Sequence, residues 1–124
     1  MLTGNALTER VIGLAIDVHR ELGPGLLESV YEECLCFELA ESALAFERQV
    51  TVPVVYRGRS LEAGFRADIV VARELILEIK SVETLMPKHE AQLLTYLRLS
   101  KYRIGLLMNF NVLRLIDGLR RCIM

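Results

Sequence analysis

The sequence predicts an α+β fold, a mixed sheet of about five strands flanked by helices. Three observations lead there. Two stretches in the first third repeat apolar residues at helical spacing, residues 49–82 are dense in β-branched residues with strand character, and a further helical pattern leads to apolar runs that close the chain. At 124 residues, with 52% hydrophobic and 25% charged side chains, the chain is sized for one globular domain spanning residues 1–124. A net charge of −1 excludes a global basic field, so any phosphate contact needs a local patch. No positive-then-apolar leader opens the chain and no apolar run approaches a membrane span, which predicts a soluble, cytoplasmic protein. Cys34, Cys36 and Cys122 lack zinc or redox spacing and read as small hydrophobes in a reducing cytosol.

Taken in order, residues 1–7 read as a loose start. Thr8 has the character of an N-cap, with Leu7 and Ile12 placed for a hydrophobic staple. Val11, Leu14, Ala15, Val18 and Leu22 predict an amphipathic helix over residues 9–22, with His19 exposed on it. Gly23-Pro24-Gly25 ends that helix. A second helix is expected over about residues 26–42, with Leu27, Val30, Tyr31, Cys34, Leu35 and Leu39 as its apolar face. Glu28 falls in its first turn, where the helix dipole favours a carboxylate.

Residues 49–56 alternate as a half-buried strand with Val50, Val52, Val54 and Tyr56 on one face, and Pro53 puts that strand at an edge or a bulge. Arg57-Gly58-Arg59 is a turn whose arginines could meet phosphate or simply solvent. A second strand begins at Leu61. After Val82 the pattern returns to helix: Pro87 suits the first helical position, and Leu93, Leu94 and Leu97 form the core side of residues 88–99. His89, Gln92 and Tyr96 make a separate polar stripe, ordinary for an exposed face. Residues 103–110 read as a buried strand and residues 112–117 as a last strand, with Arg120-Arg121 in a frayed tail.

The chemistry concentrates in residues 65–82, FRADIVVARELILEIKSV, where three charges interrupt strand pattern. If Ala72-Arg73-Glu74 closes a hairpin, Val71 pairs with Leu75 and Asp68 stands opposite Glu78. Lys80 then projects from the same face as Glu78. Two carboxylates about 5 Å apart at Cβ repel unless a cation joins them, and a hard divalent ion such as Mg²⁺ fits. A second reading is equally compatible with the pattern: Lys80 neutralises Glu78 on a solvated face, and a loop one residue longer or shorter sends Asp68 to the other side.

Asp68, nine intervening residues and Glu78-Ile79-Lys80 resemble the Asp…(Asp/Glu)-x-Lys core of the PD-(D/E)XK nuclease superfamily. Gln92-x-x-x-Tyr96 resembles the Q-x-x-x-Y motif of its RecB-like branch, and Gly25-Leu26-Leu27-Glu28 resembles the first half of the GxxExxxR signature of one small family within it. The second half departs, with Glu32 where the arginine would stand. The resemblance covers nearly the whole chain and implies a restriction-endonuclease-like core and Mg²⁺- or Mn²⁺-dependent hydrolysis of nucleic acid, DNA more than RNA. It implies Asp68, Glu78, the Ile79 carbonyl and Glu28 as metal ligands, and Gln92 and Tyr96 as substrate contacts. It also implies Lys80 as the group that orients water and stabilises phosphorane charge. It leaves room for a homodimer. The alternative is a domain of this fold that has lost catalysis and serves as a binding or assembly module.

Overall fold

The computed structural model describes residues 2–124, apart from the side chain of Ala63. Its elements run α1 (Gly4–Leu22), α2 (Glu28–Glu41), β1 (Phe46–Tyr56), β2 (Arg59–Val71), β3 (Leu75–Lys80), α3 (Pro87–Leu99), β4 (Ile104–Asn109), a 3-10 turn (Leu115–Gly118) and β5 (Leu119–Ile123). The five strands form one mixed sheet in the order β1-β2-β3-β4-β5. Only β3 and β4 are parallel, joined by the α3 crossover, and every other neighbouring pair is antiparallel. The predicted α+β architecture is what forms.

Helices cover both faces. Leu7, Val11, Leu14, Ala15 and Val18 of α1 and Tyr31, Leu35 and Leu39 of α2 pack on one face of the sheet, against Ile69, Val71, Leu75, Leu77, Ile79, Leu106 and Met108. On the other face, Leu93 and Leu97 of α3 pack against Phe65, Ala67, Val70, Ile76 and Leu107. The central strand β3 is enclosed by both layers, so Leu75, Ile76, Leu77 and Ile79 are all buried. Glu78 lies in that same buried row.

Several local expectations are corrected. Helix α1 starts at Gly4, well before Thr8, because its cap comes from far along the chain: the Gly4 N–H donates to Glu74 Oε1 at 2.7 Å. Thr8 lies inside the helix and its hydroxyl donates back to the Gly4 carbonyl. His19 is buried, with Nε2 donating to the Val112 carbonyl at 2.8 Å. In α2 the apolar residues Leu27 and Val30 stay exposed, and the core side is Tyr31, Glu32, Leu35, Cys36 and Leu39. Leu94, expected in the core, is on the exposed side of α3. The last strand is Leu119–Ile123, not residues 112–117, so Arg120 and Arg121 belong to β5. Val112 gives its carbonyl to His19, and Leu113 is 90% exposed, so neither behaves as a buried strand residue.

Two glycines and a tyrosine hold the α1–α2 corner. Gly23 and Gly25 take positive φ, 73° and 97°, which an L side chain would strain. The fully buried Tyr31 hydroxyl donates to the Gly23 carbonyl at 2.6 Å and accepts from the Leu26 N–H at 3.1 Å. Its ring stacks on Phe110, which follows β4.

The β2–β3 hairpin has the predicted pairing, with Val71 opposite Leu75. The Glu74 N–H donates to the Val71 carbonyl, and Ala72 and Arg73 both have positive φ, the geometry of a type I′ turn. Neither residue favours that conformation; Asn-Gly does. Replacing Ala72-Arg73 by Asn-Gly should therefore stabilise the protein by about 1–2 kcal/mol, read as a higher urea midpoint at unchanged slope. A lower midpoint would show that the turn is not held in this conformation.

Candidate active site

Asp68 sits in a gap in the sheet. On one side, β1 pairs with β2 at Arg48↔Ile69 and again at Val50↔Ala67, and the intervening pair Gln49–Asp68 is skipped. Gln49 there has a φ of 51°, left-handed in the middle of a strand. On the other side, the β2–β3 ladder ends at Ile69↔Leu77. The next hydrogen bond is made by a side chain: the Ile79 N–H donates to Asp68 Oδ2 at 2.7 Å. In a regular strand residues 67 and 69 would share a face. Here Ala67 packs on the α3 side and Ile69 on the α1–α2 side, so β2 swivels at Asp68.

That swivel brings Asp68 to Glu78. Glu78 is 9% exposed, and its carboxyl is pushed up to about 9, first by burial and then by the charge and hydrogen bonding of Asp68, with Lys80 pulling the other way. All ion pairs among the described residues involve Arg48, so no basic side chain is in contact with Asp68 or Glu78. Lys80, half-buried, closes β3 two residues on, and acts on Glu78 through space. Strand alternation gives it the same face.

Tyr96 reaches this centre from α3. Its ring stacks on Phe65 of β2, with centroids 3.7 Å apart and planes 4° from parallel. Burial, then the charges of Glu78 and Asp68, raise its phenol above the ordinary value and keep it a donor. Gln92 stands one turn earlier on α3 with its side chain exposed. His89, at the start of the same stripe, accepts the Met86 N–H at Nδ1 and so caps the helix.

Glu28 comes to the end of the motif from the opposite layer. As the first residue of α2 it accepts the Ser81 N–H at 3.2 Å, while the Ser81 hydroxyl donates to the Leu26 carbonyl. Among the described residues no three His, Cys, Asp or Glu side chains are grouped as a metal cage, so Glu28 is not gathered with Asp68 and Glu78 here.

Two sets of contacts not expected from the sequence hold this arrangement. Glu32, at the position where the signature has arginine, is buried on α2 and accepts Arg48 Nε and Nη2 on one oxygen and Gln49 Nε2 on the other. It thereby grips the left-handed residue opposite Asp68. An acid on the core side of a helix was itself the signal that a basic partner must exist. The second is Asn109, opposite Lys80 in the parallel ladder, whose buried amide bonds both the N–H and the carbonyl of Val82 and so fixes how the chain leaves β3.

A family model described as the PD-(D/E)XK nuclease superfamily matches residues 5–122, almost the full chain. The chain belongs to that superfamily. Its fold is thus that of a nuclease-type domain. No curated protein and no solved structure matches the chain.

A pH test follows from Glu78. Its folded value near 9 lies above the ordinary 4.5, so the folded state holds a proton that the unfolded chain has lost between those values. Stability is therefore greatest at the acid side of that window and falls as pH rises, by up to about 1.4 kcal/mol per pH unit for one proton. In chelator, Glu78→Gln should remove this slope and exceed wild type in melting temperature by a margin that grows from about pH 5 to 9. Parallel pH profiles for the two proteins would contradict the burial of an uncompensated acid.

Proposed function

We propose that this superfamily member is a divalent-metal-dependent nuclease, one domain over residues 1–124, of the GxxExxxR type within the RecB-like branch. The observation that carries the reading is the convergence of Asp68 on Glu78 across β2 and β3, with Lys80 next on the same face and no contact cation between the carboxylates. Two converging hard oxygen donors, the buried Glu78 and the half-buried Asp68, fit Mg²⁺ or Mn²⁺, which takes one or two carboxylates and completes its shell with water and phosphate. Asp68 and Glu78 would hold the ion. The Ile79 carbonyl would join them, since its N–H already faces Asp68 and the two groups of one strand residue point to the same edge. Glu28 would contribute from the start of α2, directly or through water. When bound, such an ion supplies a Lewis acid that acidifies water and clamps the scissile phosphate.

The protein's own groups do the rest. Lys80 orients the attacking water and offsets charge developing on the phosphate oxygens. Tyr96 donates its phenolic hydrogen to the substrate strand, and the exposed Gln92 binds the same strand from the preceding turn. DNA is the preferred substrate on this reading. Residues 59–66 of β2 pair only with β1, forming a two-stranded ribbon that carries Arg57, Arg59 and Arg66. The B-DNA major groove admits such a ribbon, whereas the A-form RNA major groove is too narrow. Three free cysteines suit a reducing, cytoplasmic setting, and no helix of the described residues is long and apolar enough to cross a membrane.

The rival reading, a nuclease fold kept as a binding or assembly module, draws on the glutamate that replaces the signature arginine and on the carboxylate pair that lacks a third member. Two measurements separate them. Mn²⁺ should raise the melting temperature of wild type, an effect lost in Asp68→Asn, and its binding near neutral pH should release about one proton as Glu78 ionises. Lys80→Ala should keep that binding yet cleave DNA about two orders of magnitude more slowly. Equal cleavage by wild type and Lys80→Ala would move the activity elsewhere. Metal binding without cleavage of single- or double-stranded DNA or RNA would favour the module.

A further inference from the structure

Helix α2 is apolar on two sides. Its core side packs through Tyr31, Leu35 and Leu39, yet a second stripe at helical spacing stays at the surface. Leu27 is 74% exposed, Val30 37% and Phe37 62%, with half-buried Cys34 between them. An apolar stripe along a helix normally faces a packing partner. This one is open on the side facing away from the sheet.

Beside the stripe, α1 and α2 form a groove of about 410 Å³ walled by Val18, Leu22, Cys34 and Phe37 and rimmed by Asp17, Glu21 and Glu38. No lysine or arginine lines it. Helix α2 itself carries five glutamates and no lysine or arginine; Arg48 of β1 ion-pairs with Glu32 and Glu33, whereas Glu38 and Glu41 make no ion pair among the described residues. Charge decides what can settle there. A second copy laid α2 against α2 would oppose acid with acid. Nucleic acid and anionic membrane surfaces are repelled for the same reason. An apolar wall with an acidic rim complements a helix of apolar and basic faces, the helix-in-groove mode of recognition. From Leu27 to Phe37 the stripe runs about 15 Å, some three helical turns.

We propose that the α1–α2 groove docks a basic amphipathic helix of another protein, its apolar face on Phe37 and Cys34 and its lysines or arginines against Asp17, Glu21 and Glu38. The groove lies on the layer opposite α3, away from Glu78, Lys80 and Tyr96; only the Leu27 end of the stripe comes near the site, beside Glu28. The proposal is independent of whether the domain cleaves nucleic acid.

The test uses the full chain and a labelled amphipathic peptide of leucine and lysine about three turns long, with a leucine–glutamate peptide of the same pattern as control. Binding is read by fluorescence anisotropy at near-physiological salt. Cys36 and Cys122 are buried, so the rate at which a thiol reagent labels Cys34 reports on the groove itself. The leucine–lysine peptide should bind and slow Cys34 labelling, and the leucine–glutamate peptide should do neither. Phe37→Ser and the pair Glu21→Lys with Glu38→Lys, at two exposed positions and one half-buried one, should each weaken binding about tenfold or more while the circular dichroism spectrum stays that of wild type. Failure of the leucine–lysine peptide to bind, equal binding of both peptides, unchanged affinity in Phe37→Ser, or unprotected Cys34 overturns the proposal. So does self-association of the wild type that Phe37→Ser abolishes, which would give the groove to a second copy.

Discussion

The hydrogen bond from the Ile79 N–H to the Asp68 carboxylate is the contact on which the candidate site depends. A buried strand N–H must find an acceptor, and ordinarily the neighbouring strand's carbonyl supplies it. Here a charged side chain takes that place just past the end of the β2–β3 ladder. The bond satisfies the main chain of β3 and aims Asp68 at Glu78 in one step. The hairpin turn at Ala72-Arg73 sets the count of residues that makes this possible. One residue more or fewer would move Asp68 to the other face.

Part of this could be read from sequence because it follows from counting. A three-residue link fixes Val71 opposite Leu75, and counting back brings Asp68 level with Glu78; the ladder, however, stops at Ile69↔Leu77, and the swivel that turns Asp68 toward Glu78 lies outside any period-two count. The helices around the sheet were equally legible, since Val11, Leu14, Ala15 and Val18 repeat as a buried stripe must. What escaped depends on residues distant in the chain. The start of α1 is decided by Glu74, seventy positions away, and the burial of His19 by Val112. The last strand shifted because apolar character in residues 112–117 serves a loop and a 3-10 turn, while β5 presents two arginines outward that composition alone assigns to a tail.

The departure at Glu32 has a physical counterpart in the fold. An acid at that point on α2 is buried, and it is satisfied by Arg48 and Gln49 of β1 rather than left unpaired. The Glu32 hydrogen bond in turn is the main cause that raises the Arg48 guanidinium above its ordinary value. A guanidinium is thus present beside α2, carried by a strand where the signature would carry it on the helix. Its further link to Glu33 spans 3.9 Å and is largely exposed, so the Glu32 contact is the one that orders it. Breaking Glu32 would release the side chain that holds Gln49 in its left-handed turn, and with it one wall of the gap around Asp68.

The irregularities of β1 have an effect beyond the site they frame. As the outer strand of the sheet, β1 exposes a row of main-chain donors and acceptors that another chain could extend. Gln49 turns that row out of line, the register shifts between Val52 and Val54, and Pro53 between them has no N–H to offer. A straight run long enough to template a foreign strand is therefore missing along this border. The opposite border, β5, is only five residues long and turns Arg120 and Arg121 to solvent. Among the described residues, then, neither border offers crowded copies a long, straight backbone seam along which to stack.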